Sequence, residues 1–339
     1  MDRNFTRIAV LLWITMCCSG QLLAQDIHYT QFYDSPLNLN PALTGHVEGK
    51  YRVNLMYRAQ WPNISPSGFT YQTPSASFDI NFGKATQSSS WGLGAVIVND
   101  RTSGGLSTLE ALLGAAYHFN VDGREINYIS GGVQVGLIQK RIDRGGLSFG
   151  NQFDPTSGEF SSGTNVETGL TFTDVTNADL RVGATWSTYI DNFNFKLGAA
   201  YLHLLGGNEG FINESEIPPR LAVHAEAKAM IGEKIFLRPH VLYMTQAQAS
   251  QLNFGTHLGY SFAENMSAYI GGGMRADDAI VAVLGFELWG AQIGLVRDFN
   301  NTLLSDVSKA VGSYEVSLSY TGSATNRAKP LLPAIRFFE

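Results

Sequence analysis

The stretch "LNFGTHLGYSF" (252–262) decides the fold class, because large apolar residues alternate along it with small or polar ones. With only Thr256 interrupting, one face carries Leu252, Phe254, Leu258, Tyr260 and Phe262. A period of two residues belongs to a β-strand, whose successive side chains point to opposite faces of the sheet. About ten alternating residues predict a strand that faces lipid on one side and a polar interior on the other.

The same alternation recurs along most of the chain, as in "YRVNLMYRAQ" (51–60), "SASFDINF" (75–82) and "YEVSLSY" (314–320). Eleven further segments continue it, namely 91–99, 107–119, 128–140, 166–173, 180–190, 193–204, 219–231, 235–244, 266–275, 279–288 and 290–299. Single-chain outer-membrane barrels have an even number of strands, so one of these fifteen segments is split, merged or false. The sequence therefore predicts an all-β, transmembrane antiparallel β-barrel of about 14 strands, with 16 strands as the second choice.

Composition agrees with a barrel in a membrane. Charged residues are 15% of the chain, against roughly 25% in ordinary globular domains, and 36 residues are glycine. A soluble β-sandwich or propeller would also alternate, but it would carry more charge and strands nearer five residues long. The formal net charge of −6 argues against nucleic acid as a partner.

The first 24 residues have the pattern of a signal peptide. Arg3 and Arg7 precede the apolar run "IAVLLWITMCC" (8–18), and Ala24 offers a small residue for cleavage. A lipoprotein is the alternative because of the cysteines in this run, but the residue before them, Met16, is not small. No later stretch approaches 18 continuous apolar residues, so transmembrane helices are not expected.

The next segment, residues 25–49, contains "QDIHYTQFYDSPLNLNPALTGH" (25–46). Pro36 and Pro41 exclude a continuous helix or a central strand. Its tyrosines, phenylalanine and leucines supply apolar area that would pin it to the barrel rim or inside the lumen. We expect an ordered N-terminal lead-in or plug on the periplasmic side, then the barrel over residues 50–320 and a short periplasmic tail over 321–339.

Connections between the strands fall into two kinds. "AENM" (263–266) and "RADD" (275–278) are tight, whereas "GGLSFGNQFDPTSGEFSSGTN" (145–165) and "GGNEGFINESEIPP" (206–219) are long. Short turns at one rim and long loops at the other are typical of transmembrane barrels. "NTLLSDVSKA" (301–310) is expected to form a short helix or compact loop before the last strand.

No pattern in the chain indicates catalysis. The seven histidines are scattered without zinc-ligand spacing, and no G-x-S-x-G elbow is present. "GLGAV" (92–96) lies inside a strand pattern with no helix to follow, so it does not indicate a dinucleotide site. We expect a protein that is not an enzyme and that needs no metal or cofactor.

"HYTQFYDSPLNLNPALTG" (28–45) followed by "YRAQWPNI" (57–64) resembles the start of the PorP/SprF family, membrane proteins of the type IX secretion system of Bacteroidetes. The resemblance continues in "GLGAVIVNDRTSGGLS" (92–107), "GMRADDAIVAVLGFEL" (273–288) and "VRDFNNTLLSDVSKAVGSYEVSLSY" (296–320). It covers nearly all of the chain after the signal peptide.

The resemblance implies an outer-membrane protein that docks, exports or retains specific cargo, including gliding adhesins in some members. Cargo would be recognised through a C-terminal secretion domain, and periplasmic components of the secretion machinery and outer-membrane lipid would be the other partners. The alternative function is a porin-like or substrate-specific transport channel. Residues that carry the family pattern, as structural or partner-binding positions, are Gln31, Phe32, Asn40, Pro41, Gly45, Arg58, Gln60 and Trp61.

Two of these assignments have alternatives. The segment that contains Gln31 to Gly45 either only plugs and stabilises the barrel or takes part in contacts with cargo. Trp61 is either an ordinary aromatic residue of the membrane interface or part of a loop surface that a partner contacts.

Overall fold

The computed structural model describes residues 26–62, 71–83, 89–102, 105–123, 126–142, 153–154, 159–160, 174–210, 215–301 and 311–322. Within these ranges, fourteen antiparallel strands form a closed barrel. They are β1 (Tyr51–Gln60), β2 (Tyr71–Asn81), β3 (Ser90–Arg101), β4 (Leu106–Asn120), β5 (Asn127–Ile142), β8 (Val175–Ile190), β9 (Phe193–Leu202), β10 (Arg220–Ile231), β11 (Ile235–Gln246), β12 (Ala249–Ala263), β13 (Met266–Arg275), β14 (Ala279–Leu288), β15 (Ala291–Asn300) and β16 (Val311–Gly322). Two further strands, β6 (Phe153–Asp154) and β7 (Glu159–Phe160), pair only with each other.

The barrel confirms the prediction of 14 strands. Fourteen of the fifteen alternating segments each coincide with a barrel strand, and the fifteenth, 166–173, lies outside the described residues. Residues 302–310 of the segment expected to form a short helix or compact loop (301–310), and the tail from 323 onwards, also lie outside them. β16 continues to Gly322, slightly beyond the expected end of the barrel at 320.

Pairing of the first and last strands closes the barrel, with a register that runs from Tyr51 opposite Gly322 to Gln60 opposite Ser313. We call the rim where β1 begins and β16 ends the terminal rim, and the opposite one the loop rim. β5 ends and β8 begins at the loop rim, and so do β9 and β10, so the long connections 143–174 and 203–219 start and finish at this rim. Tight turns lie at both rims, because 264–265 is at the terminal rim but 276–278 is at the loop rim.

Alternation along each strand separates the two faces of the barrel wall. On β12, Leu252, Phe254, Leu258, Tyr260 and Phe262 are exposed on the outer face, whereas Asn253 and His257 are buried inside. From Leu252 to Phe262 a strand advances about 33 Å, which corresponds to about 25 Å of height at a 40° tilt. That is the height of the apolar band of an outer-membrane barrel. Among the described residues, no helix is long and apolar enough to cross a membrane.

The lumen is occupied by the segment before β1, residues 26–49, which we call the plug. It contains two short 3₁₀ helices, Phe32–Asp34 and Pro41–Leu43, and one turn of α-helix, Pro36–Leu39. Proline stands at the start of two of these helices, where its missing N–H costs nothing and its fixed φ suits the turn. The prolines that exclude a long helix therefore set a compact chain of single turns.

Candidate functional site in the plugged lumen

The plug crosses the lumen from the loop rim to the terminal rim. At its start, the Asp26 backbone N–H donates to Oε1 of Gln246, the last residue of β11 at the loop rim, over 2.9 Å. Near its end, the Gly45 N–H donates to Oδ2 of Asp79 at 2.7 Å, two residues before the end of β2 at the terminal rim. The Lys50 N–H then donates to Gly322 at 2.8 Å, where β1 begins beside β16. The segment is thus ordered as expected, but its first residue lies at the loop rim.

A buried carboxylate on β16 holds the first third of the plug. The two oxygens of Glu315 accept hydrogen bonds from the backbone N–H groups of Thr30 at 2.7 Å and Gln31 at 2.9 Å. Arg58 neutralises this carboxylate from β1 with an N···O distance of 3.2 Å, and it also donates to the backbone carbonyl of His28 at 2.6 Å. One barrel ion pair therefore fixes backbone groups of three plug residues, His28, Thr30 and Gln31, and the family-pattern residue Arg58 belongs to it.

A second set of charges continues this contact around the wall. Thr30 donates through its hydroxyl to Oδ2 of Asp298 at 3.0 Å and accepts from Arg275 at 3.0 Å. Arg275 and Asp298 form an ion pair at 2.9 Å, with both side chains essentially unexposed. Buried ion pairs of this kind are costly unless their remaining hydrogen bonds are satisfied, and the plug supplies several of them.

Asn40 joins the middle of the plug to the opposite side of the barrel. It is fully buried, its Nδ2 lies 3.2 Å from the carbonyl oxygens of Ala184 on β8 and Ala199 on β9, and its Oδ1 accepts from the Ala42 N–H at 2.9 Å. Its Nδ2 is also 3.1 Å from Nε2 of His224 on β10. A single amide therefore caps a plug helix and bonds to three barrel strands.

The plug lies very close to the barrel wall at two glycines, Gly183 and Gly132. A Cβ on Gly183 would lie 2.0 Å from Oδ1 of Asn40, and one on Gly132 would lie 2.4 Å from the carbonyl carbon and oxygen of Pro41. Real Cβ atoms do not approach other heavy atoms so closely, so a side chain at Gly132 would displace the plug backbone and one at Gly183 would displace the buried Asn40 amide. Asn40 and Pro41 are thus seated on bare β-sheet backbone.

The last turn of the plug is fixed in a comparable way. Gly45 has a φ of +72°, which favours glycine, and its carbonyl accepts from Asn81 Nδ2 at 2.8 Å. Asp79, whose carboxylate accepts from the Gly45 N–H, is paired with Arg52 at 2.7 Å. A Cβ on Gly45 would lie 2.4 Å from Cα of Gly92 on β3.

Apolar contacts complete the plug seat, the set of wall residues that contact the plug. Phe32 is 4% exposed and forms a buried cluster with Leu39, Leu43, Ala222 and Leu242. On the other side of the lumen, Leu37 packs with three residues of β3 and β4, namely Val96, Val98 and Leu112. The plug therefore has its own apolar anchors on two sides of the barrel in addition to its hydrogen bonds.

Gln31 fills the space beside Phe32. It is fully buried, and its Oε1 accepts from the Ser317 hydroxyl at 3.2 Å. A Cβ on Gly294 of β15 would lie 2.2 Å from the same oxygen, so a larger residue at this wall position would have to displace the Gln31 side chain.

The start of the plug is clasped by His203, which follows β9 at the loop rim with a φ of +61°. Its Nε2 lies 2.7 Å from Oδ2 of Asp26, and its Nδ1 lies 3.1 Å from Oδ1 of Asp179 on β8. Burial alone would lower the pKa of His203, but the hydrogen bonds of the two carboxylates raise it above its usual value. Burial alone would raise the pKa of Asp26, but His203 and Arg220 hold it below its usual range.

The structure brings six of the eight sequence-identified residues together between plug and wall: Gln31, Phe32, Asn40, Pro41, Gly45 and Arg58. Gln60 is the last residue of β1 at the loop rim. Trp61 follows it with a φ of +51° and contacts the Tyr71 ring edge-on at 5.3 Å. These two therefore lie at the mouth of the barrel rather than in the plug seat.

Sequence reasoning missed the wall residues that hold the plug, above all Glu315, Asp298, Asp79 and His203. The sequence did contain a signal for Glu315, Asp298 and Asp79, which are charged residues at inward positions of strands. In a barrel with few charges, such residues are expected to have partners inside the lumen. The partner in each case is separated by tens to hundreds of residues, so no local pattern identifies it.

Beside the plug lie a small cavity near the loop rim and a group of charged side chains towards the terminal rim. A cavity of about 30 Å³, room for one or two water molecules, lies between Ile27, Leu39 and Arg220. Towards the terminal rim, five charged side chains line the lumen and are partly exposed, namely Lys196, Glu226, Lys228, Arg238 and Glu287. In the part of the chain that the structure describes, no group of three or more His, Cys, Asp or Glu side chains is arranged to hold a metal ion.

Residues 22–320 match the family described as "Type IX secretion system membrane protein PorP/SprF". No match was found among curated protein sequences. Among solved structures, the chain is similar to the Ralstonia pickettii toluene transporter TbuX, at 12% identity and a TM-score of 0.49 over 85% of this chain and 92% of that one. It is also similar to a Pseudomonas aeruginosa FadL homologue, at 10% identity and a TM-score of 0.47 over 83% of this chain and 92% of that one. A further similar structure is the translocator domain of the autotransporter NalP from Neisseria meningitidis, at 11% identity and a TM-score of 0.42 over 86% of this chain and 96% of that one.

Proposed function

Because the chain belongs to the PorP/SprF family of type IX secretion system membrane proteins, we propose that its plugged barrel docks specific cargo proteins for export or retention at the cell surface. The family and the closed barrel with its apolar outer band place the protein in the outer membrane. In this proposal the barrel is a rigid, non-enzymatic support, and cargo is recognised through its C-terminal secretion domain.

The observation that carries the proposal is the plug. It is hydrogen-bonded to β1, β2, β8, β9, β11 and β16, and its apolar residues are buried against both sides of the lumen. A solute channel needs a continuous water-filled path, and a cargo dock does not. A lumen that is filled by its own chain therefore supports docking over transport.

Cargo contact is assigned to the loop rim. The long connections 143–174 and 203–219 leave the barrel there, and loops on a rigid scaffold are where binding residues concentrate. Gln60 and Trp61 are also at this rim, so the part of the family pattern outside the plug seat lies beside the proposed contact.

Contact with periplasmic components of the secretion machinery is assigned to the terminal rim. An even number of strands brings both ends of the barrel to this side, and the partly exposed charges Lys196, Glu226 and Glu287 open towards it. A polar, mixed-charge surface of this kind suits a reversible protein contact.

The experiment is a quantitative comparison of surface and secreted proteins in cells with and without the gene. We expect one or two large proteins with a type IX C-terminal domain to be lost and the other exported proteins to be unchanged. Complementation with a variant that lacks residues 206–219 should leave cargo export defective, while heat-modifiable gel mobility still reports a folded barrel.

An unchanged set of exported proteins, together with slower uptake of a solute, would contradict docking and favour the porin-like alternative. Loss of barrel folding in the loop deletion would contradict the assignment of this loop to cargo contact.

A further inference from the structure

On the outer wall of the barrel, a row of small residues crosses neighbouring strands, and the row on each side of it consists of large apolar residues. Pro239, Thr256, Gly272 and Ala282 are directly paired from β11 to β14, and Ala282 is paired in turn with Arg297 on β15. The four small residues are exposed on the outer face. A Cβ on Gly272 would have a single neighbour, the Val281 carbonyl at 3.7 Å, so the space above it is open.

Large apolar side chains flank this row on both sides. On the side of the loop rim, the next outward positions are Phe254, Met274, Ile280 and Phe299, paired in the same order. On the side of the terminal rim they are Leu258, Ile270, Leu284 and Leu295. All eight are large and 38–63% exposed, so the small row forms the floor of a groove between two ridges.

The groove runs obliquely through the apolar band. Five strands at about 4.8 Å spacing give it a length of roughly 19 Å. Pro239 lies four residues from the start of β11 at the terminal rim, whereas Arg297 lies three residues from the end of β15 at the loop rim. The groove therefore descends into the membrane from an arginine near the loop-rim interface.

Arg297 is unusual because it points outwards between Leu295 and Phe299. Its guanidinium lies 5.2 Å from the centre of the Phe299 ring and 4.9 Å from that of Tyr314, which fixes it on the outer surface. The register of β15 against β16 shifts between Arg297 and Phe299, a bulge of the kind that re-aims a side chain. Among the described residues, its Nε is screened from solvent and has no hydrogen-bond acceptor.

We propose that this groove binds one anionic membrane lipid, with the lipid phosphate on Arg297 and an acyl chain along Ala282, Gly272 and Thr256. A cation on the lipid-facing surface is costly unless an anion accompanies it, and a lipid phosphate is the anion that the membrane interface supplies. The guanidinium fork matches phosphate oxygens, and the apolar ridges match an acyl chain. The site is independent of the plug and of the proposed cargo contact.

The test uses the full barrel, stripped of lipid in a non-ionic detergent, with dioleoylphosphatidylglycerol and dioleoylglycerol as probes and native mass spectrometry as the readout. The first probe has a phosphate and the second does not. We expect one tightly bound phosphatidylglycerol and at least about tenfold weaker binding of the diacylglycerol, which corresponds to about 1.4 kcal/mol.

Two variants address the two parts of the site. Arg297→Gln removes the cation and Gly272→Leu fills the groove, and each should weaken phosphatidylglycerol binding about tenfold. Their matched controls are Arg141→Gln, an exposed arginine at 3.0 Å from Asp174, and Gly131→Leu, an outward glycine on β5 with open space above it. Both controls should bind the lipid as the unchanged protein does.

Heat-modifiable gel mobility confirms that each variant is a folded barrel. Equal binding in all five proteins, equal loss in the control variants, or equal binding of the two probes would overturn the lipid site. Displacement of the lipid by millimolar inorganic phosphate alone would overturn it as well, because the acyl chain would then contribute nothing.

Discussion

At the residue scale, the contact between plug and wall depends on glycines that face the lumen, and adjacent glycines that face outwards have no such role. Gly131 and Gly132 are consecutive on β5, yet a Cβ on Gly131 would meet nothing within 4 Å and one on Gly132 would meet Pro41 at 2.4 Å. The difference follows from alternation, because Gly131 faces outwards and Gly132 faces the lumen. The same residue type therefore has two different consequences in adjacent positions.

We predict that Gly132→Val displaces the plug and that Gly131→Val does not. Forcing extra atoms into a close-packed contact typically costs about 1–3 kcal/mol, and here the plug backbone has to move away. Limited proteolysis of residues 26–49 in the purified barrel measures the effect. Equal protection of the plug in both variants would show that the close approach at Pro41 does not hold it.

His203 makes the start of the plug dependent on pH. Because the pKa of His203 is raised, its ion pair with Asp26 contributes fully to the stability of the folded plug below the usual histidine pKa of about 6.5. This stabilisation is lost as pH rises through the raised pKa. The lowered pKa of Asp26 sets the other limit, because its contribution is lost as pH falls through that value. The clasp is therefore strongest at weakly acidic to neutral pH.

We predict faster hydrogen exchange of the Asp26 and Ile27 amides as pH is raised from about 6 to 9, after correction for the intrinsic pH dependence of exchange. His203→Gln should remove this additional dependence, because glutamine cannot change its charge. The amides of Ala42 and Leu43, deep in the plug, are the internal control. A dependence that is the same in the variant would exclude His203 as its cause.

At the scale of the element, the plug is a segment without regular secondary structure longer than one turn, and its stability comes from the wall. Glu315 supplies both hydrogen-bond acceptors for the Thr30 and Gln31 amides, and its side chain is unexposed and paired with Arg58. Removing one partner from a buried ion pair is expensive because the other charge remains buried.

We predict that Glu315→Gln weakens the loop-rim half of the plug by about 3 kcal/mol, the typical cost of breaking a buried pair. Exchange of the Thr30 and Gln31 amides should become faster, while that of Ala42 should change less. Glu209→Gln is the matched control, since Glu209 pairs with Lys140 at the loop rim and is partly exposed. A similar effect in both variants would mean that the pair does not act on the plug locally.

At the scale of the whole molecule, fourteen strands enclose a lumen wide enough for a folded segment of about two dozen residues. Side chains alone fill barrels of about eight strands, and barrels of 16 to 18 strands leave an aqueous channel when nothing else fills them. A barrel of intermediate size therefore needs an internal segment if its lumen is to be closed, and the plug provides it.

We predict that the intact barrel carries little steady current in a planar bilayer and that deletion of residues 26–46 produces a clear, stable conductance. The charged side chains of the inner wall would then line a water-filled path. Gly131→Val, which leaves the plug in place, should behave as the intact barrel does. High conductance of the intact barrel would favour the channel function over docking.

The strands of the wall could be predicted from the sequence, whereas the contacts between wall and plug could not, and the reason is physical. Alternation in 252–262 identified β12 and its two faces, because the period of a strand is a local property. The prolines and aromatic residues of 28–45 predicted an ordered segment, but they gave no information about which strands it contacts. Glu315 and Asp298 were not singled out, because their plug partners are more than 260 residues away in the chain.

The sequence by itself determined a 14-stranded barrel with an apolar outer face, since alternate residues of its strands are apolar where they face lipid and small or polar where they face the lumen. Only the tertiary structure decided that the plug runs from the loop rim to the terminal rim, that Asn40 sits on Gly183, and that Arg297 ends a groove of small residues. These features depend on the register between strands and on closure of the barrel. Register is a relation between distant segments, and it brings residues together that no local pattern connects.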